Sequence, residues 1–157
     1  MSKTQVELNA EITELVKQKV ASGAEWSKEE IAFIQKYTGD GGIKKDSRGA
    51  LYEYYTPYEV VSRIWGLVYK LGFTGGNVLE PAVGTGRFLH FVDPSNCYVD
   101  AFEFAKDNDT SYQICKATYP FAHVRNDYFE SIFYSGNFRV GHAEEYDLVI
   151  GNPPHGS

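Results

Sequence analysis

The chain has 157 residues, 43% of them hydrophobic and 23% charged. That is enough for one domain with a real core and too polar for a membrane protein, and no stretch has the uninterrupted apolar length of a bilayer span. A formal charge of −6 excludes a piece that grips nucleic-acid backbone unaided, because phosphate contacts are made by clustered Lys and Arg.

The opening MSKTQVELNAEITELV lacks the apolar run of a signal peptide. Cys97 and Cys115 show no metal-ligand spacing and read as reduced thiols, so a cytoplasmic location is expected. From Thr4 the sequence predicts a helix. Thr4 and Glu7 form a capping box, and Leu8, Ile12, Leu15, Val16 and Val20 share one face. A second helix is expected from Ser27, with Glu30 reaching back and Trp26 stapled onto Ile31, stopping near Gly39. Residues 1–45 thus form a helical N-terminal segment with a linker, and residues 46–157 a second unit. The glycine-rich, then aromatic stretch from Gly39 to Tyr55 reads as a loop. A third helix is expected from Thr56, with Pro57 as first helical residue and Glu59 completing a capping box. Its apolar face is Val60, Val61, Ile64, Trp65, Val68 and Leu71, and Gly72 closes it.

Beyond it the pattern alternates. NVLE is a strand, PAVGTGRF a loop turning into a helix, and YVDAFEF a strand. KDNDTSYQICKATY is a helix, AHVRN a strand, DYFESIFY a short helix or loop, and YDLVIGN a fourth strand. Alternation of this kind predicts an α/β fold with a Rossmann-like, doubly wound, mostly parallel sheet, and ligands of such sheets bind at the carboxyl ends of the strands.

Glu80-Pro81-Ala82-Val83-Gly84-Thr85-Gly86 joins the first strand to the helix expected after it. Gly84 and Gly86 permit a tight turn and close approach of a ligand. The third glycine of a dinucleotide fingerprint is absent, since position 89 is Leu, and an acid at the strand end repels phosphate. Glu80 suits a cationic ligand instead. Glu103, followed by Phe104, ends the second strand, where a carboxylate accepts ribose hydroxyls. Asp127, followed by Tyr128, ends the third, where it can accept from an adenine amino group or serve as a helix N-cap. Three acids at three strand ends describe a ligand with a sulfonium or amine, a ribose and an adenine, and S-adenosylmethionine is such a ligand.

At these residues the chain resembles the SAM-dependent N6-adenine DNA methyltransferases, in particular the modification subunits of type I restriction systems and related phage and plasmid methylases. Tyr54-Tyr55-Thr56-Pro57 is similar to the family's aromatic-Thr-Pro motif, and Leu79 to Phe88 to its acid-Pro-x-x-G-x-G-x-F loop. Glu103 is similar to its ribose acid, Asn126-Asp127-Tyr128-Phe129 to its adenine-side motif, and Asn152-Pro153-Pro154-His155 to its catalytic Asn-Pro-Pro-aromatic tetrapeptide. The resemblance implies S-adenosylmethionine held by Tyr55, Thr56, Glu80, Pro81, Ala82, Gly84, Gly86, Phe88, Glu103, Phe104, Asp127, Tyr128 and Asn152. It implies catalysis by Asn152, Pro153, Pro154 and His155, and no metal. It also implies DNA as partner through a recognition segment not present here, with further domains or a specificity subunit and no membrane. His155 departs from the family's Tyr or Phe; imidazole can stack on a flipped base but offers less area, which puts rate or substrate choice in doubt.

The chemistry of the tetrapeptide comes from its residues. An exocyclic adenine nitrogen is a weak nucleophile because its lone pair is delocalised. The side-chain oxygen of Asn152 and the carbonyl of Pro153 can accept its two N–H bonds, and the consecutive prolines restrict where that carbonyl points. The family's sheet has more strands than the four counted here, so either the N-terminal piece of a longer methylase or a truncated product that binds cofactor without turnover is expected, weak or inactive on DNA by itself. Two other readings stand beside it: methylation of protein glutamine or of an RNA base, and a non-catalytic SAM-fold remnant acting as an interaction module.

Overall fold

The computed structural model describes residues 3–39, 55–104, 110–131 and 146–153; Tyr54, Pro154 and His155 lie outside these. Helix α1 spans Gln5–Ser22 and carries the expected capping box, Thr4 and Glu7 each accepting the other's backbone N–H. Helix α2, Lys28–Ile34, is capped in the same way by Ser27 and Glu30, but it ends before Gly39 is reached. Helix α3, Tyr58–Lys70, starts later than the sequence suggests. Pro57 is its N-cap and makes no side-chain cap bond, and Glu59 pairs forward with Arg63 at 2.7 Å. Thr56 therefore lies outside the helix, with its hydroxyl and carbonyl available to other partners.

Among the described residues, four strands follow: β1 (Gly76–Glu80), β2 (Cys97–Glu103), β3 (His123–Asn126) and β4 (Leu148–Val149), with helix α4 (Thr110–Thr118) between β2 and β3. The sheet is entirely parallel in the order β3-β2-β1-β4, the α/β arrangement expected. After the glycine loop the chain forms only a short 3-10 turn, Arg87–Phe91, rather than the helix read from the sequence.

The strand order bears on function. The chain steps outward from β1 through β2 to β3, then crosses back to lay β4 on the other side of β1. That reversal is a topological switch point at the carboxyl ends of β1 and β4, the place where open α/β sheets bind their ligands.

One face of the sheet buries Val78, Val99, Ala101 and Val124 beneath Val61 and Trp65 of α3 and Cys115 and Tyr119 at the end of α4. Trp65 is fixed by more than packing, because its indole N–H donates to the carbonyl of Phe88 at 2.8 Å. Ile64 and Val68 join this core in part, while Val60 and Leu71 of the expected apolar face stay exposed. Ile12 and Val16 of α1 and Ile34 of α2 pack around Ile114 of α4, so the N-terminal helices share a core with the sheet unit. On the opposite face, Leu79 and Phe102 pack with Phe129 and Tyr146. Among the described residues, no helix is long and apolar enough to cross a membrane.

Candidate functional site

Glu80, the last residue of β1, is 1% exposed. Its Oε1 accepts the N–H of Ala82 at 3.1 Å, whereas Oε2 is buried without a hydrogen-bond partner among the described residues. Burial pushes its carboxyl up to about 8, opposed by the Ala82 bond and assisted by the nearby charge of Glu103. Unpaired buried carboxylates are costly, and most buried polar atoms in folded proteins are satisfied. Glu80 is one of three residues with such an atom among the described residues, and it sits at the strand-order reversal.

Beside β1, β4 leads into Ile150-Gly151-Asn152. The Glu80 carboxyl lies directly against Gly151, so that a Cβ there would overlap both of its oxygens. Glycine at 151 is a steric requirement of the buried acid. The next residue, Asn152, is exposed, and its Nδ2 donates to Thr56 Oγ1 at 3.3 Å. That bond orients the amide, leaving Oδ1 as the atom suited to accept from a ligand. Asn152, Thr56 and Glu80, read separately from distant parts of the sequence, thus converge.

The glycine loop is tied to the neighbouring strand. The N–H of Gly84 donates to Glu103 Oε2 at 2.6 Å, so Glu103 fixes the loop as well as ending β2. Gly84 and Gly86 have φ of 55° and 90°, the left-handed region that side chains rarely adopt. The Tyr55 ring packs against Gly84 and the Tyr55 hydroxyl bonds Ser111 Oγ at 2.7 Å, which binds the start of α4 to the loop.

The adenine-side residues differ in character. Asp127 is exposed, and its Oδ1 accepts the N–H of the next residue, Tyr128, at 2.8 Å. Phe104 and Tyr128 stack with centroids 3.5 Å apart and planes inclined by 19°, an aromatic platform at the ends of β2 and β3. Pro81 and Ala82 are partly buried within the loop. Phe88 is buried in the core. Pro153 is exposed beside Asn152.

Sequence reasoning passed over Arg87. Its guanidinium lies 5.4 Å from the Tyr55 ring centre and 5.0 Å from that of Tyr58, and Nη1 donates to the Thr56 carbonyl at 3.2 Å. Its Nε is buried without a partner. The available signal was a cation directly after the glycine loop with aromatic residues at positions 55 and 58.

Comparison with known proteins gives one context. The chain is 31% identical over 137 residues to Defense against restriction protein B of Escherichia phage P1, an alignment covering 87% of this chain. The chain spans 6% of that protein's length. No family model and no solved structure matches. These findings overturn the assignment to the N6-adenine DNA methyltransferases and type I modification subunits drawn from short motifs. No methyltransferase family model matches, and the relative found is named for defense against restriction. The physical reason lies in the motifs' length: each spans only a few residues, and local backbone bonding occupies some of their side chains, as at Asp127.

Proposed function

We propose that this chain binds S-adenosylmethionine at the carboxyl ends of β1 and β4 and presents Asn152 to a planar nitrogen acceptor for methyl transfer. The observation that carries this reading is the buried, unpartnered oxygen of Glu80 at the strand-order reversal, in direct contact with the Gly151-Asn152 step. A cation is the ligand such an oxygen favours. The residues present fit the cofactor chemically: an acid for the positive centre, an N–H-bonded acid at the end of β2, and an aromatic platform beside it for a flat base.

When bound, the sulfonium would supply an electrophilic methyl group. Asn152 Oδ1 and the carbonyl of Pro153 would take the two N–H bonds of an amino or amide nitrogen and favour the tetrahedral geometry in which its lone pair can attack. Thr56 holds the amide in that orientation before the acceptor arrives. Preorganised dipoles of this kind act without a covalent intermediate. The name of the phage relative speaks of defense against restriction, and methylating a base edge hides it from a nuclease that reads that edge. A nucleobase amino group is accordingly the acceptor class this reading favours, with amide nitrogen as the alternative. A non-catalytic module that meets a restriction system draws support from the same name alone.

Equilibrium dialysis with labelled S-adenosylmethionine tests the reading. Saturable retention, displaced by S-adenosylhomocysteine, is expected. No retention at millimolar ligand would favour the non-catalytic module.

A further inference from the structure

We infer that Arg87 anchors the carboxylate at the amino-acid end of the ligand, from a position that Thr56 shares with Asn152. The inference rests on the cofactor reading and names a residue to which that reading gave no part.

Three observations meet at this side chain. First, the guanidinium is held in place, wedged near the rings of Tyr55 and Tyr58 at 5.4 and 5.0 Å and bonded through Nη1 to the Thr56 carbonyl. Rings on a guanidinium fix its plane while leaving its edge for donation. Second, the Nε donor is buried with no partner, and among the described residues Arg87 forms no ion pair with a carboxylate. The Nη1 donor is committed to Thr56, which leaves the edge made by Nε and Nη2. That edge is the fork that receives a carboxylate through two parallel bonds. Third, Thr56 joins Arg87 to the transfer site. Its carbonyl accepts from Arg87 and its hydroxyl accepts from Asn152 Nδ2 at 3.3 Å. A ligand with a carboxylate at one end and a sulfonium a short chain away would be gripped on both sides of one residue. The carboxylate meets the cation Arg87, and the sulfonium meets the buried acid Glu80.

A purely structural Arg87, clamping the Tyr55–Tyr58 segment onto the glycine loop, would strengthen the fold without distinguishing ligands that differ only in their carboxylate. Calorimetric titration separates the two. The ligands are S-adenosylmethionine and its decarboxylated form, which keeps the sulfonium and lacks the carboxylate. The native chain is expected to bind the complete ligand at least about tenfold more tightly, the scale of a bidentate charged contact. In Arg87→Gln the complete ligand should weaken to the affinity of the decarboxylated one, which itself should hardly change, and Arg87→Lys should restore part of the gap. Equal binding of the two ligands by the native chain overturns the inference while leaving the cofactor reading intact. Equal weakening of both by Arg87→Gln overturns it too. Should Arg87→Gln fail to fold, the native comparison decides alone. Binding of neither ligand by the native chain removes the cofactor reading and this inference with it.

Discussion

Two acids on adjacent strands of one sheet are both nearly buried, and they have opposite fates. Asp100 of β2 is 8% exposed and Glu80 of β1 is 1% exposed, and they project to opposite faces. Asp100 has partners for both oxygens. Oδ1 meets His123 Nδ1 at 3.0 Å with Arg125 at 3.9 Å, and Oδ2 accepts the Tyr146 hydroxyl at 2.9 Å. Burial and that bond together hold the Tyr146 phenol in its protonated form, above its ordinary range. Glu80 has one backbone N–H and a second oxygen without a partner. The difference is one of satisfaction: the fold supplies partners to both oxygens of Asp100 and, among the described residues, to only one of Glu80.

Substitutions can break or sharpen this contrast, and the largest effect belongs beside Glu80. In a form of the protein with measurable transfer, Asn152→Ala is expected to cut the rate by about 10²-fold or more while ligand affinity holds. Asp100→Ala should leave both unchanged. Equal loss of rate and binding in Asn152→Ala would make that amide structural.

Asp100→Ala should instead lower stability by roughly 1–2 kcal/mol, because it removes the acceptor of the partly buried Tyr146 hydroxyl, while the half-exposed His123 ring turns to water. Denaturant unfolding reads this directly, and an unchanged midpoint would show that the Asp100 cluster contributes little. Gly151→Ala should cost about 1–3 kcal/mol through overlap with the Glu80 carboxyl. Much of that loss should vanish in a Glu80→Ala background, since the obstructing group is then gone. Additive losses would place the obstruction elsewhere.

A pH dependence is expected as well. The Glu80 carboxyl lies above its ordinary 4.5, at about 8. Between these values the folded chain keeps a proton that the unfolded chain has released, so stability falls as pH rises through the window. Glu80→Gln should therefore stabilise the empty chain more at pH 8 than at pH 5, while weakening a cationic ligand about tenfold or more. A pH-independent difference would mean that Glu80 is ionised in the empty fold.

Much of the architecture was legible because it is local. The Thr4 and Ser27 boxes, the alternation of strands and helices, and the acids at the ends of β1 and β2 are written in short stretches with clear period and capping. What escaped was tertiary. The need for glycine at 151 arises only where β4 lies beside β1 and meets Glu80. Arg87 acquires meaning from rings and a carbonyl supplied by residues 55–58. The start of α3 moved past Thr56, which bonds Asn152 instead of capping its own helix. Pattern also overreached: short motifs in a familiar order suggested a family that the comparisons do not support.

The most direct measurement is calorimetric titration of S-adenosylmethionine into the native chain at pH 7, repeated in two buffers of different ionisation enthalpy. A cation taken up by Glu80 must displace the proton held there. Saturable binding with release of roughly one proton per ligand is the expected result. Binding whose heat is the same in both buffers, or no saturable heat at millimolar ligand, would contradict a cation site at Glu80.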